Sequence, residues 1–266
     1  PLEKARLRFN FEKSDINEVK TELAKFQNVD GGFGHALEPD LRTPDSSVLA
    51  TSLALQILNT GSSDSYLLKN YDSENMSWRI IPPSAQNFPH APWWDQADQK
   101  EKFLGFHLNP TAEILGYLSE FNSNLGEKIL GVMKVLKEIE MHDFLCCKRL
   151  SESKNIPEVF REGIIVELDR LLSTCLITDS TKWSGYGLRP LQVVDSPDSL
   201  YYKRFQSSVE ENLDYEIDSQ DDSGSWLPTW TWQGKFSNEW EKAKTEWSGI
   251  LTLEKLLILR KFDRIK

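Results

Sequence analysis

Cysteine, histidine and methionine are all scarce, at three, four and three residues in a chain of 266. Cys146, Cys147 and Cys175 are odd in number and lack paired spacing, so they are expected to be reduced residues of a cytoplasmic protein rather than a disulfide framework. Positive charge is also short: 31 Lys and Arg stand against 41 Asp and Glu, for a net charge of −10. Nucleic acid is therefore not an expected partner, since phosphate contacts need a basic face. No run approaches the roughly 20 apolar residues that cross a bilayer, so no membrane span is expected. Residues 1–13 carry basic charge without an apolar core, unlike a secretory signal. Because Pro rather than Met stands first, a few earlier residues are expected to have been removed. Strand-like alternation is missing as well.

Helical periodicity is abundant. Phe205, Val209, Leu213 and Ile217 recur in steps of four, as do Phe160, Ile164, Leu168 and Leu172. Ile129, Met133, Leu136 and Ile139 form a third stripe, over 127–140. Each predicts an amphipathic helix on an outer layer. Residues 48–58 and 247–259 are apolar on every face, which predicts helices buried all round. The chain is therefore expected to be all-α, a single domain over 1–266, with outer helices alternating with inner ones. Long Pro-, Gly-, Asp- and Trp-rich connections at 28–46, 72–109, 178–198 and 218–245 are the expected functional loops.

Tryptophan is the compositional excess. Five of the nine, Trp226, Trp230, Trp232, Trp240 and Trp247, fall within 22 residues. The first of these ends a repeat. Gln27-Asn28-Val29-Asp30-Gly31-Gly32-Phe33 matches Gln220-Asp221-Asp222-Ser223-Gly224-Ser225-Trp226, 193 residues later, as Gln, three residues, Gly, one residue and an aromatic. A weaker echo runs from Asp72 to Trp78. Both copies follow an amphipathic helix and lead through a Pro-containing loop to an apolar one, so repeated helical hairpins are implied.

Gln-x-x-x-Gly-x-Trp resembles the QW motif of squalene-hopene and oxidosqualene cyclases. Asp30-Gly31-Gly32-Phe33-Gly34 resembles the repeat of protein prenyltransferase β subunits. The resemblance, to a bacterial prenyltransferase-like branch of the terpenoid cyclase/prenyltransferase superfamily, implies an (α/α) toroid of five to six hairpins. In a chain this short the ring is left incomplete. It further implies an isoprenoid or terpenoid in an aromatic-lined central cavity. The motif residues themselves are read as structural: Gln satisfies helix-end backbone groups, Gly makes the turn and the aromatic packs.

The family's chemical signatures are absent. Prenyltransferase zinc ligands run Asp-x-Cys and then a distant His, whereas His35, His90, His107 and His142 all precede the first Cys and no Asp-x-Cys occurs. Zinc-dependent protein prenylation is therefore not expected, nor any metal site. Neither Asp-x-Asp-Asp nor Asp-Asp-x-x-Asp is present. No cofactor is expected, magnesium entering only with a diphosphate substrate.

Two loops remain as candidates. In 35–45, two prolines would hold Glu38, Asp40 and Asp45 in place, and desolvation beside Trp rings would raise a carboxyl pKa, as a general acid requires. His35 opens the same loop. In 82–95, four prolines surround His90, a base or donor, and the pair Trp93 and Trp94. Trp230 and Trp232, two apart in an extended stretch, would share a face and form a cavity wall. The expected catalytic residues are Asp40, Glu38, His35 and His90; the expected substrate-binding residues are Trp93, Trp94, Trp230, Trp232 and Asp45. The bland alternatives are Asp40 paired with Arg42, Asp45 capping the helix that follows, and His90 simply hydrogen-bonded.

The first functional reading is binding or transformation of a small apolar molecule by carboxylate acid–base chemistry. The second is a carbohydrate-active toroid, a glycosidase or lyase with Trp platforms and a carboxylate pair. The third is a non-catalytic scaffold with a filled centre.

Overall fold

The structure, a computed structural model, describes residues 1–58, 64–97 and 103–265. It is mainly helical, as the stripes predict. In chain order the helices are α1 (Leu2–Glu12), α2 (Ile16–Ala24), α3 (Val48–Leu58), α4 (Asp64–Lys69), α5 (Leu108–Tyr117) and α6 (Ser123–Val135). They continue with α7 (Met141–Glu152), α8 (Glu158–Cys175), α9 (Pro190–Val193), α10 (Tyr202–Asp218) and α11 (Ser237–Lys261). Among the described residues the paired strands are β1 (Tyr71–Asp72) and β2 (Ser77–Trp78), a short antiparallel hairpin. No helix among the described residues is long and apolar enough to cross a membrane. The backbone contacts divide into two compact units, Lys25–Cys175 and a second made of Pro1–Ala24 with Leu176–Lys266.

In the unit Lys25–Cys175, α5 packs against α3, α6 and α7. Its Ala112, Ile114 and Leu115 are fully buried, as are Phe144, Cys147 and Leu150 of α7. Burying a side chain of Leu or Phe size stabilises by about 1.5–3 kcal/mol. Leu125, Ile129 and Met133 of α6 meet α8, which buries Ile164, Leu168, Leu171 and Leu172. Gly126 lets the two helices close, because a Cβ there would lie 2.6 Å from the Phe121 ring and 3.1 Å from that of Phe160. The Ser47 hydroxyl, not Asp45, caps α3 by accepting from the Ala50 amide. The helix expected over 127–140 stops at Val135, where Leu136 turns to extended geometry.

In the second unit α1 packs on α2 and α11, and α9 on α10. Arg260 of α11 lies over the Phe11 ring and donates to the Asn10 carbonyl. The stripe on α10 differs from the expected one. Val209, Asn212, Leu213 and Glu216 are buried, whereas Ile217 is 41% exposed. With 3.6 residues per turn, each step of four drifts by about 40°, so a strict step-of-four ladder leaves the buried face. On α11 the expected all-round burial of 247–259 does not hold. Ile250, Leu251, Leu256 and Leu257 are half-buried, and only Leu253 and Leu259 in that stretch are buried. The helix also starts ten residues earlier, at Ser237.

The repeated heptapeptides fold alike. Gln27 Nε2 donates to the Gly31 carbonyl at 3.2 Å, and Gln220 Nε2 to the Gly224 carbonyl at 2.9 Å. Gly31 and Gly224 take φ values of 85° and 81°, the left-handed region open to glycine. Asn28 and Gly32 are paired through N–H to carbonyl at 2.9 Å, Asp221 and Ser225 likewise at 2.8 Å. Each turn is then pinned to its following helix: the Phe33 amide donates to Thr51 Oγ1, and the Trp226 amide to Thr252 Oγ1. The echo at Asp72–Trp78 is the β1–β2 hairpin. Met76 takes the left-handed φ of 55° at the place of Gly31 and Gly224, and Trp78 Nε1 donates to the Leu67 carbonyl as Trp226 Nε1 does to that of Glu216.

Candidate functional site

The loop after Phe33 is shaped by close backbone approach. A Cβ on Gly34 would sit 2.3 Å from the Asp45 carbonyl oxygen, so only glycine lets the two ends of the loop meet. His35 and Ala36 follow with φ of 53° and 60°. The Asn28 amide ties the returning limb through the Pro44 carbonyl and the Ser46 hydroxyl, both at 3.0 Å. Residues 37–41 are thereby turned inward and buried.

The two candidate loops meet. Leu41 and His90 form an antiparallel bridge, flanked by hydrogen bonds from the Ala91 amide to the Asp40 carbonyl at 2.9 Å and from the Arg42 amide to that of Pro89 at 3.0 Å. Glu38, Asp40 and His90 are all buried. Glu38 is distinctive: its Oε2 is buried without a hydrogen-bond partner. Burial pushes its carboxyl well above the usual range, and the neighbouring Asp40 adds to this; the Asp40 backbone amide and the Arg42 guanidinium oppose it. Burial and the Asp40 charge thus both favour the protonated form of the Glu38 carboxyl over the charged one.

His90 is firmly oriented. The Gln96 amide donates to Gln86 Oε1 at 2.7 Å, which fixes the Gln86 side chain with its nitrogen toward His90. Gln86 Nε2 then faces His90 Nε2 at 3.1 Å, and His90 Nδ1 lies 2.6 Å from the Phe88 carbonyl. The proton therefore sits on Nδ1, and Nε2 accepts from Gln86. Gln96 is held in turn by Arg79 and by the Pro82 carbonyl.

The other expected residues are more scattered. Exposed His35 pairs with Asn28 Oδ1 at 2.8 Å, next to the first repeat. Asp45, also exposed, accepts from Ser84 Oγ at 2.5 Å and so latches the two loops together. Trp93 is half-buried; Trp94, buried, tilts toward Phe103 with ring centroids 6.5 Å apart. Both lie in the tight turn Pro92–Trp94 that follows His90. Trp230 and Trp232 belong to the other unit. They pack on α11 seven residues apart, Trp232 on Trp240 at 5.9 Å and Trp230 edge-on to Trp247 at 5.1 Å. Trp232 is fully buried, so its ring is core in that unit.

Two buried carboxylates were not singled out from sequence. Glu113 of α5 accepts from Ser52 of α3 and from Arg149 Nη1 of α7 at 2.8 Å. Burial and Glu113 together raise the nearby Tyr117 phenol. Glu216 of α10 is the second, bound by Arg189 and Lys255. Its signal is positional: with Val209, Asn212 and Leu213 it completes the i, i+3, i+4, i+7 pattern of a buried face. A polar cleft of about 110 Å³ is lined by Asp72, Asn75, Trp78, Arg79 and Phe103 among others, and by none of the expected residues. Among the described residues no group of three or more His, Cys, Asp or Glu is arranged to hold a metal ion. Compared with protein-family models, with curated proteins and with solved structures, the chain matches none.

Proposed function

We propose that the chain is a helical toroid of the terpenoid cyclase/prenyltransferase type, with an incomplete ring of hairpins, that binds a small apolar molecule and acts on it by acid catalysis. Glu38 is the acid, its carboxyl raised by burial first and by the neighbouring Asp40 second, and the His90 loop the wall against which both are held. The observation that carries this reading is the buried, unpartnered Oε2 of Glu38. An ordinary structural carboxylate would have its oxygens satisfied. The shared hydrogen-bond pattern of the two Gln-x-x-x-Gly-x-aromatic turns supports the architecture.

The test is a thermal-shift screen of prenyl diphosphates, neutral terpenes and oligosaccharides, with and without magnesium, followed by product analysis with any ligand that binds. A ligand at ~100 times its Kd stabilises by about 2.7 kcal/mol, or roughly 2–4 °C for a chain of this size. Glu38→Gln is expected to retain binding and lose turnover. Full turnover in that variant would remove the acid role. A second reading, a carbohydrate-active protein, is selected by a shift with oligosaccharides alone. No shift with any class selects a scaffold.

A further inference from the structure

Glu216 receives two cations and offers one negative charge. Lys255 Nζ lies 2.5 Å from Oε2, and Arg189 Nη1 lies 3.2 Å from Oε1. Asn212 Nδ2 adds a contact to Oε1 at 3.4 Å, so the carboxylate is saturated. It is 4% exposed at the side chain, whereas Arg189 and Lys255 retain 16% and 21%. Both cations are thus partly open to solvent while the carboxylate between them is not. Arg189 is preset: its guanidinium lies over the Tyr215 ring at 5.5 Å, and that ring meets fully buried Trp183 edge-on at 5.4 Å.

A recessed excess of positive charge is unfavourable unless something neutralises it. It is also out of keeping with a chain whose net charge is −10. Burial holds the Lys255 ammonium below its ordinary range; Glu216 opposes this, the adjacent Arg189 adds to it, and Glu254 opposes it more weakly. At contact distance, one carboxylate faces two cations.

We infer that Arg189 and Lys255 form a recessed site for a small oxyanion, a phosphate or carboxylate group, whose charge completes the neutralisation that Glu216 begins. Arg189 supplies a planar pair of donors and Lys255 a point charge, the combination suited to a tetrahedral or planar oxyanion. The site does not depend on the acid role of Glu38.

The probes are inorganic phosphate and acetate, added to the full chain against chloride at matched ionic strength, with unfolding temperature and Trp fluorescence as readouts. Saturable stabilisation by phosphate or acetate and not by chloride is expected, and the stronger of the two identifies the group. Lys255→Met and Arg189→Gln each leave Glu216 with one cation, so they keep a neutral pair and are expected to fold and to lose the saturable response. Glu216→Gln removes the internal competitor and is expected to bind the anion about tenfold tighter. An equal response in chloride, the same response in all variants, or no tightening in Glu216→Gln would overturn the assignment.

Discussion

The Phe33 amide donates to the Thr51 hydroxyl across 3.0 Å, joining a turn to a helix 18 residues further on in one buried bond. Thr51 is fully buried. Removing its hydroxyl strands a buried N–H, which costs about 1–3 kcal/mol. Thr51→Val is therefore expected to lower the unfolding free energy from denaturant titration by that amount, and Thr51→Ser to recover most of it. Thr252→Val is expected to be milder, because Thr252 is only half-buried. Equal stability of Thr51→Val and wild type would show the bond to be dispensable.

Gly34 and Gly224 separate two reasons for a glycine. At Gly34 a Cβ would meet backbone at 2.3 Å, whereas at Gly224 it would meet nothing within 4 Å and the constraint is the φ of 81°. Gly224→Ala is expected to cost about 1–2 kcal/mol, the strain of one left-handed residue. Gly34→Ala is expected to exceed about 4 kcal/mol, in the range of forced backbone rearrangement. Circular-dichroism melts of the two variants test this order.

Glu38 carries a pH signature. Its folded carboxyl lies well above the ordinary glutamate value near 4.3, so the folded state binds the proton more tightly than the unfolded chain. The stabilisation is full below about pH 4.3 and is lost as pH rises through the folded value. Glu38→Gln is a permanent mimic of the protonated side chain. It is expected to remove that slope and to be more stable than wild type at the alkaline end, by about 1.4 kcal/mol for each unit by which the carboxyl is raised. Parallel pH profiles of the two proteins would contradict the assignment.

The Glu113–Arg149 pair is expected to be expensive to break and cheap to replace. Arg149→Met leaves a buried carboxylate with only the Ser52 hydroxyl and should cost about 3 kcal/mol. Glu113→Leu with Arg149→Met should cost less than the sum of the single changes. Urea titrations of the four proteins give the coupling energy.

What the sequence made legible followed local pattern. Residues 48–58 carry no charge, and α3 occupies that span without a residue of error. The polar first half of α11, Ser237 to Glu246, has no apolar stripe, so the helix was read only from Trp247 onward. Glu216 falls among the acids between the apolar steps of a helical stripe, where a carboxylate reads as the wet face, and Glu113 lies outside every stripe legible in the sequence. Their partners come from other helices, which no local window contains. In the candidate site the residue types of Glu38, Asp40 and His90 were readable from their stiff loops. Their meeting through the Leu41–His90 bridge was not, because that pairing is between segments some fifty residues apart and depends on the fold.

The two pinned turns hold their helices at different depths. Thr51 is the fourth residue of α3, whereas Thr252 is the sixteenth of α11, and the intervening span grows from 18 to 26 residues. The fastening is the same in both turns while what is threaded between its two ends differs: a proline-stiffened acidic loop in one copy, a tryptophan-clasped helical extension in the other. A fold built this way separates holding from content. The same clasp closes stretches of unequal length and unlike chemistry, so what it encloses does not determine how the turn is fastened to its helix.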